Sequence, residues 1–143
     1  MFVQSVSLII PCYNEEESIP LFLETIRPIA DREPYRFEFI FINDGSSDAT
    51  PEVLRAEHAK DRRVKIINLS RNFGKEHAMA AGFHAASGDA VIPMDVDLQD
   101  PPELISSFLR RWEEGYDVVR STPEENGGYV LQAPVRWTFL SLF

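Results

Sequence analysis

Short apolar runs alternate with amphipathic segments along most of the chain. Compact apolar runs bounded by proline, asparagine or glycine are typical of buried strands. We predict strands at residues 5–11, 37–43, 64–69 and 90–94, and the start of a fifth at 117–119. Apolar residues at helical spacing between these runs predict helices at residues 15–31, 48–61, 75–86 and 101–111, with Asp48 as the N-cap of the second.

The regular order of strand and helix predicts right-handed crossovers and a mainly parallel sheet. Helices then cover both faces of the sheet, so the expected fold is an α/β domain of the three-layer α/β/α, Rossmann-like type. Ligands of such sheets bind where the loops cluster, at the carboxyl ends of the strands.

Polar side chains follow each of the four predicted strands at the point where the strand ends. These clusters are Tyr13-Asn14-Glu15, Asp44-Gly45-Ser46, Arg71-Asn72 and Asp95-Val96-Asp97. Since the carboxyl ends of parallel strands share one edge of a sheet, the clusters are expected to meet in one site.

Charge and composition exclude some classes of function. The net charge is −9, with 23 acidic against 14 basic residues, so binding nucleic acid through its phosphates is not expected. One cysteine, Cys12, permits no internal disulfide and fits a reducing compartment. The sequence shows neither a signal-peptide pattern nor an apolar run of the ~20 residues that a membrane helix needs. We therefore expect a cytoplasmic protein, soluble or peripheral at the inner face of a membrane.

Asp95 and Asp97 are the strongest indication of chemistry. Two carboxylates at positions i and i+2 after an apolar strand can turn toward one hard cation, and Mg²⁺ or Mn²⁺ favours such oxygen ligands. A metal there would bridge a substrate diphosphate and stabilise it as a leaving group. The alternative is a pair of solvated loop acids, which is the commoner meaning of an isolated D-x-D.

Four segments, PCYNEEESI, FINDGSSDAT, SRNFGKEHAMAAG and DVDLQDPPE, occur in the order and spacing of family-2 glycosyltransferases. Within that family the chain resembles the dolichyl-phosphate mannose synthase and bacterial polyprenyl-phosphate glucosyltransferase branch, over roughly residues 5–119. The resemblance implies the GT-A fold, a nucleotide-sugar donor, a divalent metal and a lipid-linked phosphate acceptor.

The resemblance also implies roles for individual residues. Pro11, Tyr13 and Glu15 match the motif that holds the base and ribose, and Asp44 matches the acid that binds the base. Asn72, Gly74 and Lys75 match the lining of the nucleotide pocket. Asp95 and Asp97 match the metal pair, Gln99 matches a further ligand beside the metal, and Asp100 is expected to support the site or cap the following helix.

The family pattern stops after about Val119. We therefore expect a donor-binding domain over residues 1–120 and an aberrant or incomplete tail over 121–143, with the catalytic base unassigned and absent. Codons for 121–143 can be chosen so that the adjacent reading frame encodes the basic segment typical of the family, and Glu124 and Glu125 would require lysine or arginine there. The hypothesis is a frameshifted, prematurely ended chain.

Three functions remain open from the sequence. The first is metal-dependent sugar transfer from a UDP- or GDP-sugar to polyprenyl phosphate. The second is a truncated, non-catalytic remnant that binds nucleotide or metal only. The third, a D-x-D phosphatase, fits poorly because its aspartates would follow the first strand, and an NAD-binding domain lacks the G-x-G-x-x-G motif. Sugar, base and homo-oligomeric state stay undetermined.

Overall fold

The computed structural model describes residues 3–123 and 129–132. The chain forms two compact units, Met1–Pro101 and Pro102–Phe143. The helices and strands, in chain order, are β1 (Ser5–Cys12), α1 (Ser18–Arg32), β2 (Arg36–Asn43), α2 (Thr50–Lys60), β3 (Val64–Asn68), α3 (Lys75–Ala85), β4 (Ala90–Pro93), α4 (Leu104–Glu113), β5 (Arg120–Pro123) and β6 (Tyr129–Gln132).

The first unit contains a four-stranded parallel sheet in the order β3-β2-β1-β4. The chain builds outward from β1 to β3 and then returns to the other side of β1 to form β4. The order therefore reverses between β1 and β4, and a ligand crevice is expected there at the carboxyl ends. Cys12, Asn43 and Asn68, the last residues of β1, β2 and β3, pair in register, so the loops that follow them start at the same edge.

Helices cover both faces of this sheet, which confirms the predicted three-layer α/β fold. Successive strand residues point to opposite faces. On one face Phe41 of β2 makes an edge-to-face contact with Phe22 of α1, with ring centroids 5.9 Å apart. On the other face Ile40 and Ile42 form a buried cluster with Ala78 of α3.

The small residues of α3 let this helix lie very close to the sheet. A β-carbon on Gly82 would stand 2.4 Å from Cγ2 of Ile9 and 2.7 Å from Cδ1 of Ile42. This approach places the N-terminus of α3, at Lys75, beside the edge of the sheet where the loops cluster.

Buried and half-buried charges join α1 to α2 and the loop before β3. Arg27 donates to Glu57 at 2.9 Å and to Asp61 at 3.1 Å, and Arg63 donates to Asp61 and to Asp31. The hydrogen bonds from Arg63 lower the pKa of Asp61 to about 2. This network holds α1 and α2 together. It lies away from the loops that follow the carboxyl ends of the strands.

Three sequence predictions need correction. Asp48 is not the N-cap of α2, because Ala49 holds that position and Asp48 instead accepts the backbone N–H of Thr50 at 2.9 Å. The last predicted helix begins at Leu104, three residues later than its double proline suggested. Residues 117–119 lie outside any strand, and β5 pairs antiparallel with β6 in a separate two-stranded sheet.

Most of the tail for which the frameshift was proposed lies outside the described residues, and the division after residue 120 stays a prediction. Within the described ranges, no helix combines the length and the apolar character needed to cross a bilayer.

Candidate functional site

A cleft of about 360 Å³ opens at the carboxyl edge of the parallel sheet. Every residue that the sequence proposed for donor or metal binding lines it, namely Pro11, Tyr13, Glu15, Asp44, Asn72, Gly74, Lys75, Asp95, Asp97 and Gln99. Cys12 and Val96 complete the lining. The structure thus brings together residues from all four loops that follow the strands, as the topology requires.

Asn14 connects the loop after β1 to the loop after β2. Its backbone adopts a positive φ of 52°, a conformation that asparagine tolerates better than most residues. Its Oδ1 accepts the N–H of Ser47 at 2.8 Å and of Asp48 at 3.3 Å, while its own N–H donates to Oγ of Ser46. Sequence reasoning missed this role, although an asparagine between a strand and a helix is a known turn signal.

The residues after Asn14 continue the same connection. The N–H of Glu15 donates to Oγ1 of Thr50 at 2.9 Å, and the carboxylate of Glu16 accepts the N–H of Ala49 at 3.1 Å. These bonds hold the main chain at Tyr13 and Glu15. Tyr13 stays 47% exposed.

Asp44 is a buried carboxylate that organises the loop after β3. It is 4% exposed, and its two oxygens accept the N–H of Phe73 at 2.8 Å and of Gly74 at 3.1 Å. Its own N–H donates to the carbonyl of Cys12, which ties it to β1 as well. The sequence did not anticipate this anchoring role. Recognition of a base by Asp44 stays a prediction.

The Asp95–Gln99 segment forms the other wall of the cleft. Nζ of Lys75 lies 2.5 Å from Oδ1 of Asp95. Nε2 of Gln99 donates to Oδ2 of Asp97 at 2.6 Å. Leu98 between them has a positive φ of 56°, an uncommon conformation for a bulky residue. This turn brings the side chains of Asp97 and Gln99 together.

Asp100 is exposed and absent from the cleft lining. It does not cap α4 either, since Glu103 holds the N-cap position. The expectation that Asp100 caps this helix is therefore wrong.

The described residues contain no cluster of three or more His, Cys, Asp and Glu side chains able to hold a metal ion. Asp95, Asp97 and Gln99 nevertheless offer two carboxylates and one amide oxygen on a single short segment. Mg²⁺ and Mn²⁺ sites with few protein ligands are common where substrate phosphates and water supply the remaining oxygens. The donor set therefore fits such a cation.

Cys12 is not a candidate nucleophile. It is 3% exposed, and burial, with smaller contributions from the charges of Glu15, Asp48 and Asp44, raises the pKa of its thiol to about 12. The thiolate, which is the reactive form, is therefore scarce at neutral pH. Cys12 is therefore a small buried residue at the end of β1.

Comparison with known proteins gives the family. The model of "Glycosyl transferase family 2" matches residues 7–139. The bactoprenol glucosyl transferase of Shigella phage SfV is 43% identical over 136 residues, which cover 94% of this chain and 44% of that protein. The undecaprenyl-phosphate 4-deoxy-4-formamido-L-arabinose transferase of Photorhabdus laumondii is 42% identical over 118 residues, or 82% of this chain and 36% of that protein. The chain thus spans less than half the length of these relatives.

A solved structure shares the fold. The glucosyl-3-phosphoglycerate synthase of Mycobacterium tuberculosis, crystallised with Mn²⁺, UDP-glucose and phosphoglyceric acid, aligns with a TM-score of 0.60 at 24% identity. The alignment covers 76% of this chain and 39% of that one.

Proposed function

The chain belongs to glycosyl transferase family 2, and on that premise we propose that its cleft holds a nucleoside diphosphate sugar with a divalent cation for transfer of the sugar to polyprenyl phosphate. The observation that carries the proposal is the convergence of ten sequence-predicted residues on one cleft. They come from the ends of four strands and the segments that follow them, and the cleft lies where the strand order reverses.

The names of the relatives support the acceptor class. One is a bactoprenol glucosyl transferase and another an undecaprenyl-phosphate transferase, so both names refer to a polyprenyl lipid. The sugars in the two names differ, so the proposal leaves the sugar open. Because such an acceptor is a membrane lipid, the proposal includes peripheral contact with the inner face of a membrane.

The two walls of the cleft suit different parts of the donor. The wall formed by β1 and β2 offers the exposed ring of Tyr13 for stacking on a base and the carboxylate of Glu15 for ribose hydroxyls. Asp44 can accept a hydrogen bond from a base while it still accepts the N–H of Gly74, because a carboxylate has more than two lone-pair positions.

The opposite wall suits the diphosphate. Asp95, Asp97 and Gln99 would hold Mg²⁺ or Mn²⁺, which when bound offsets the charge of the diphosphate leaving group. Lys75 lies within reach of the same phosphates, at the N-terminus of α3, where backbone N–H groups also favour an anion. The residues thus orient the donor and compensate its charge.

An acceptor that is already anionic reduces the need for a general base. A hydroxyl nucleophile must lose a proton during transfer, whereas a phosphate oxygen does not. The proposal therefore assigns no residue of the described chain as a catalytic base.

Thermal unfolding of the 143-residue chain tests the donor site. Selective binding raises the melting temperature, because a ligand that binds only the folded state stabilises it. We expect UDP or GDP, or one of their sugars, to raise it more with Mn²⁺ than without. D97N should lose the metal-dependent part of the shift, whereas D31N, the same change at an exposed aspartate of α1 outside the cleft lining, should retain it. The absence of any nucleotide effect would refute the proposal.

An assay for transfer of radiolabelled sugar to polyprenyl phosphate distinguishes an active glycosyltransferase from a non-catalytic binding protein. Binding of a nucleotide without transfer would favour a protein that holds nucleotide or metal only.

A further inference from the structure

Lys75 and Asp95 form an ion pair in the lining of the cleft. Lys75 is the first residue of α3, and Asp95 follows the end of β4. Their side chains are 59% and 32% exposed, and the nitrogen and oxygen lie 2.5 Å apart. The contact therefore occupies one of the two carboxylates proposed for the metal.

A divalent cation on Asp95 would compete with this lysine for the same carboxylate. Mg²⁺ takes its oxygen ligands at about 2.0–2.1 Å, which would bring it within a few ångströms of the ammonium group. Like charges at that separation repel strongly, and water screens them incompletely inside a cleft. Binding of the metal therefore weakens the contact of Asp95 with Lys75 and favours another partner for the ammonium group.

Asp97 is held differently. Its Oδ2 accepts a hydrogen bond from the neutral amide of Gln99, and within the described part of the chain it has no ion pair. A metal can replace this bond without displacing a charge, since rotation of the amide offers its oxygen instead. Asp95 thus already pairs with a cation, whereas Asp97 has no such partner among the described residues.

The displaced ammonium needs another anion. A lysine in the first turn of a helix is disfavoured by the helix dipole, so Lys75 gains from a negative partner. Gly74 before it has a φ of 100°, and apart from its chain neighbours no heavy atom lies within 4 Å of where a β-carbon would be, so there is space beside the lysine. A donor diphosphate in the same cleft would supply the negative charge.

We propose that Lys75 is a positioning residue that exchanges partners, holding Asp95 in the free protein and the donor diphosphate when a cation takes Asp95. This inference rests on the proposed function. Its consequence is that cation and diphosphate bind as a coupled pair and that the cation alone binds weakly. The coupling is reciprocal, because each ligand removes the obstacle to the other.

Titration of the 143-residue chain with Mn²⁺, followed by the electron paramagnetic resonance signal of the free ion, tests the exchange. Without nucleotide, K75M should bind Mn²⁺ roughly fivefold more tightly than wild type, as expected for removal of a partly exposed ion pair. With Mn²⁺ saturating, K75M should bind UDP or GDP at least about fivefold more weakly, because a charge-assisted contact is lost.

R71M is the matched control. Arg71 is also an exposed cation, next to Asn72, but contrary to the expectation from the sequence it is absent from the cleft lining. Its guanidinium lies 4.6 Å over the ring of Phe73, and in the described ranges it has no ion pair. R71M removes the same charge and should leave the affinity for Mn²⁺ alone within about twofold of wild type, since exposed charges at longer range are largely screened.

The possible outcomes separate this inference from the proposed function. If K75M binds Mn²⁺ no more tightly than wild type, or if R71M tightens binding equally, the exchange is wrong while nucleotide binding by wild type still supports the donor site. If wild type binds neither Mn²⁺ nor nucleotide, both proposals fall.

Discussion

Gly45 lies so close to the backbone of Asn72 that a β-carbon on Gly45 would stand 2.3 Å from the Asn72 nitrogen. The φ of Gly45 is +68°, which also favours glycine. The neighbouring Asp44 binds the N–H groups of Phe73 and Gly74. The turn after β2 and the loop after β3 are thus held together by one close backbone approach and two hydrogen bonds.

Replacement of Gly45 by alanine should destabilise the fold by more than about 3 kcal/mol. The left-handed conformation costs a residue with a β-carbon about 1–2 kcal/mol, and the contact with Asn72 can be relieved only by separating the two loops. Urea denaturation of G45A and wild type measures the difference.

G74A provides the comparison, since Gly74 also has a positive φ, of 100°, but no heavy atom near the added β-carbon. It should lose about 1–2 kcal/mol, the conformational cost alone. Equal losses in G45A and G74A would show that the approach to Asn72 is unimportant.

The core of the fold could be predicted from the sequence because its strands are long apolar runs. The predicted run at 37–43 is β2 at Arg36–Asn43, with Phe39, Phe41 and Ile42 fully buried. Such a run has few alternatives to the interior of a parallel sheet. The placement of polar loops at one edge followed from topology alone.

The contacts inside the cleft could not be predicted in the same way. Lys75 and Asp95 are 20 residues apart in sequence and meet only because α3 lies close enough to the sheet for Gly82 to approach Ile9. Asp44 was predicted by its motif, but its bonds to Phe73 and Gly74 depend on where the next loop passes. Side-chain partners between loops are set by tertiary structure, which local patterns do not encode.

The sequence pattern also gave wrong starting points for α4 and for the fifth strand, where the local sequence signals were weak. The double proline at 101–102 is compatible with a helix start, yet α4 begins at Leu104. The apolar residues Val118 and Val119 indicated a strand, but β5 begins at Arg120. A run of two or three apolar residues does not distinguish a strand from a loop.

The network around Asp61 predicts a stability that depends on pH. The hydrogen bonds from Arg63 lower the pKa of Asp61 from 3.8 to about 2 in the folded protein. A lowered pKa stabilises the fold above the unfolded value, and the contribution is lost as the pH falls from about 4 to 2. After allowance for screening by solvent we expect about 1 kcal/mol. D61N should therefore be less stable than wild type at pH 7, with a difference that shrinks toward pH 2.

D31N is the control for this experiment. Asp31 also pairs with Arg63, at 2.8 Å, but its side chain is 60% exposed. Exposed pairs contribute little, so D31N should lie within about 0.5 kcal/mol of wild type at pH 7. A D61N deficit that stayed constant from pH 7 to pH 2 would contradict the role of the Asp61 charge. Urea midpoints at several pH values provide the measurement.

Asn14 should be sensitive to two separate changes, because it combines a left-handed backbone with an acceptor for the loop after β2. N14G keeps the backbone conformation and removes the acceptor, so we expect a loss of about 1 kcal/mol. N14A removes the acceptor and adds the strain of a positive φ, so its loss should reach about 2–3 kcal/mol. N14D retains an acceptor and should stay closest to wild type. Urea denaturation measures the stability of the three variants. If N14A were as stable as N14D, the connection to Ser47 would contribute nothing.

If the cleft binds a nucleotide as proposed, N14G and N14A should also weaken that binding, since Tyr13 and Glu15 flank the altered residue.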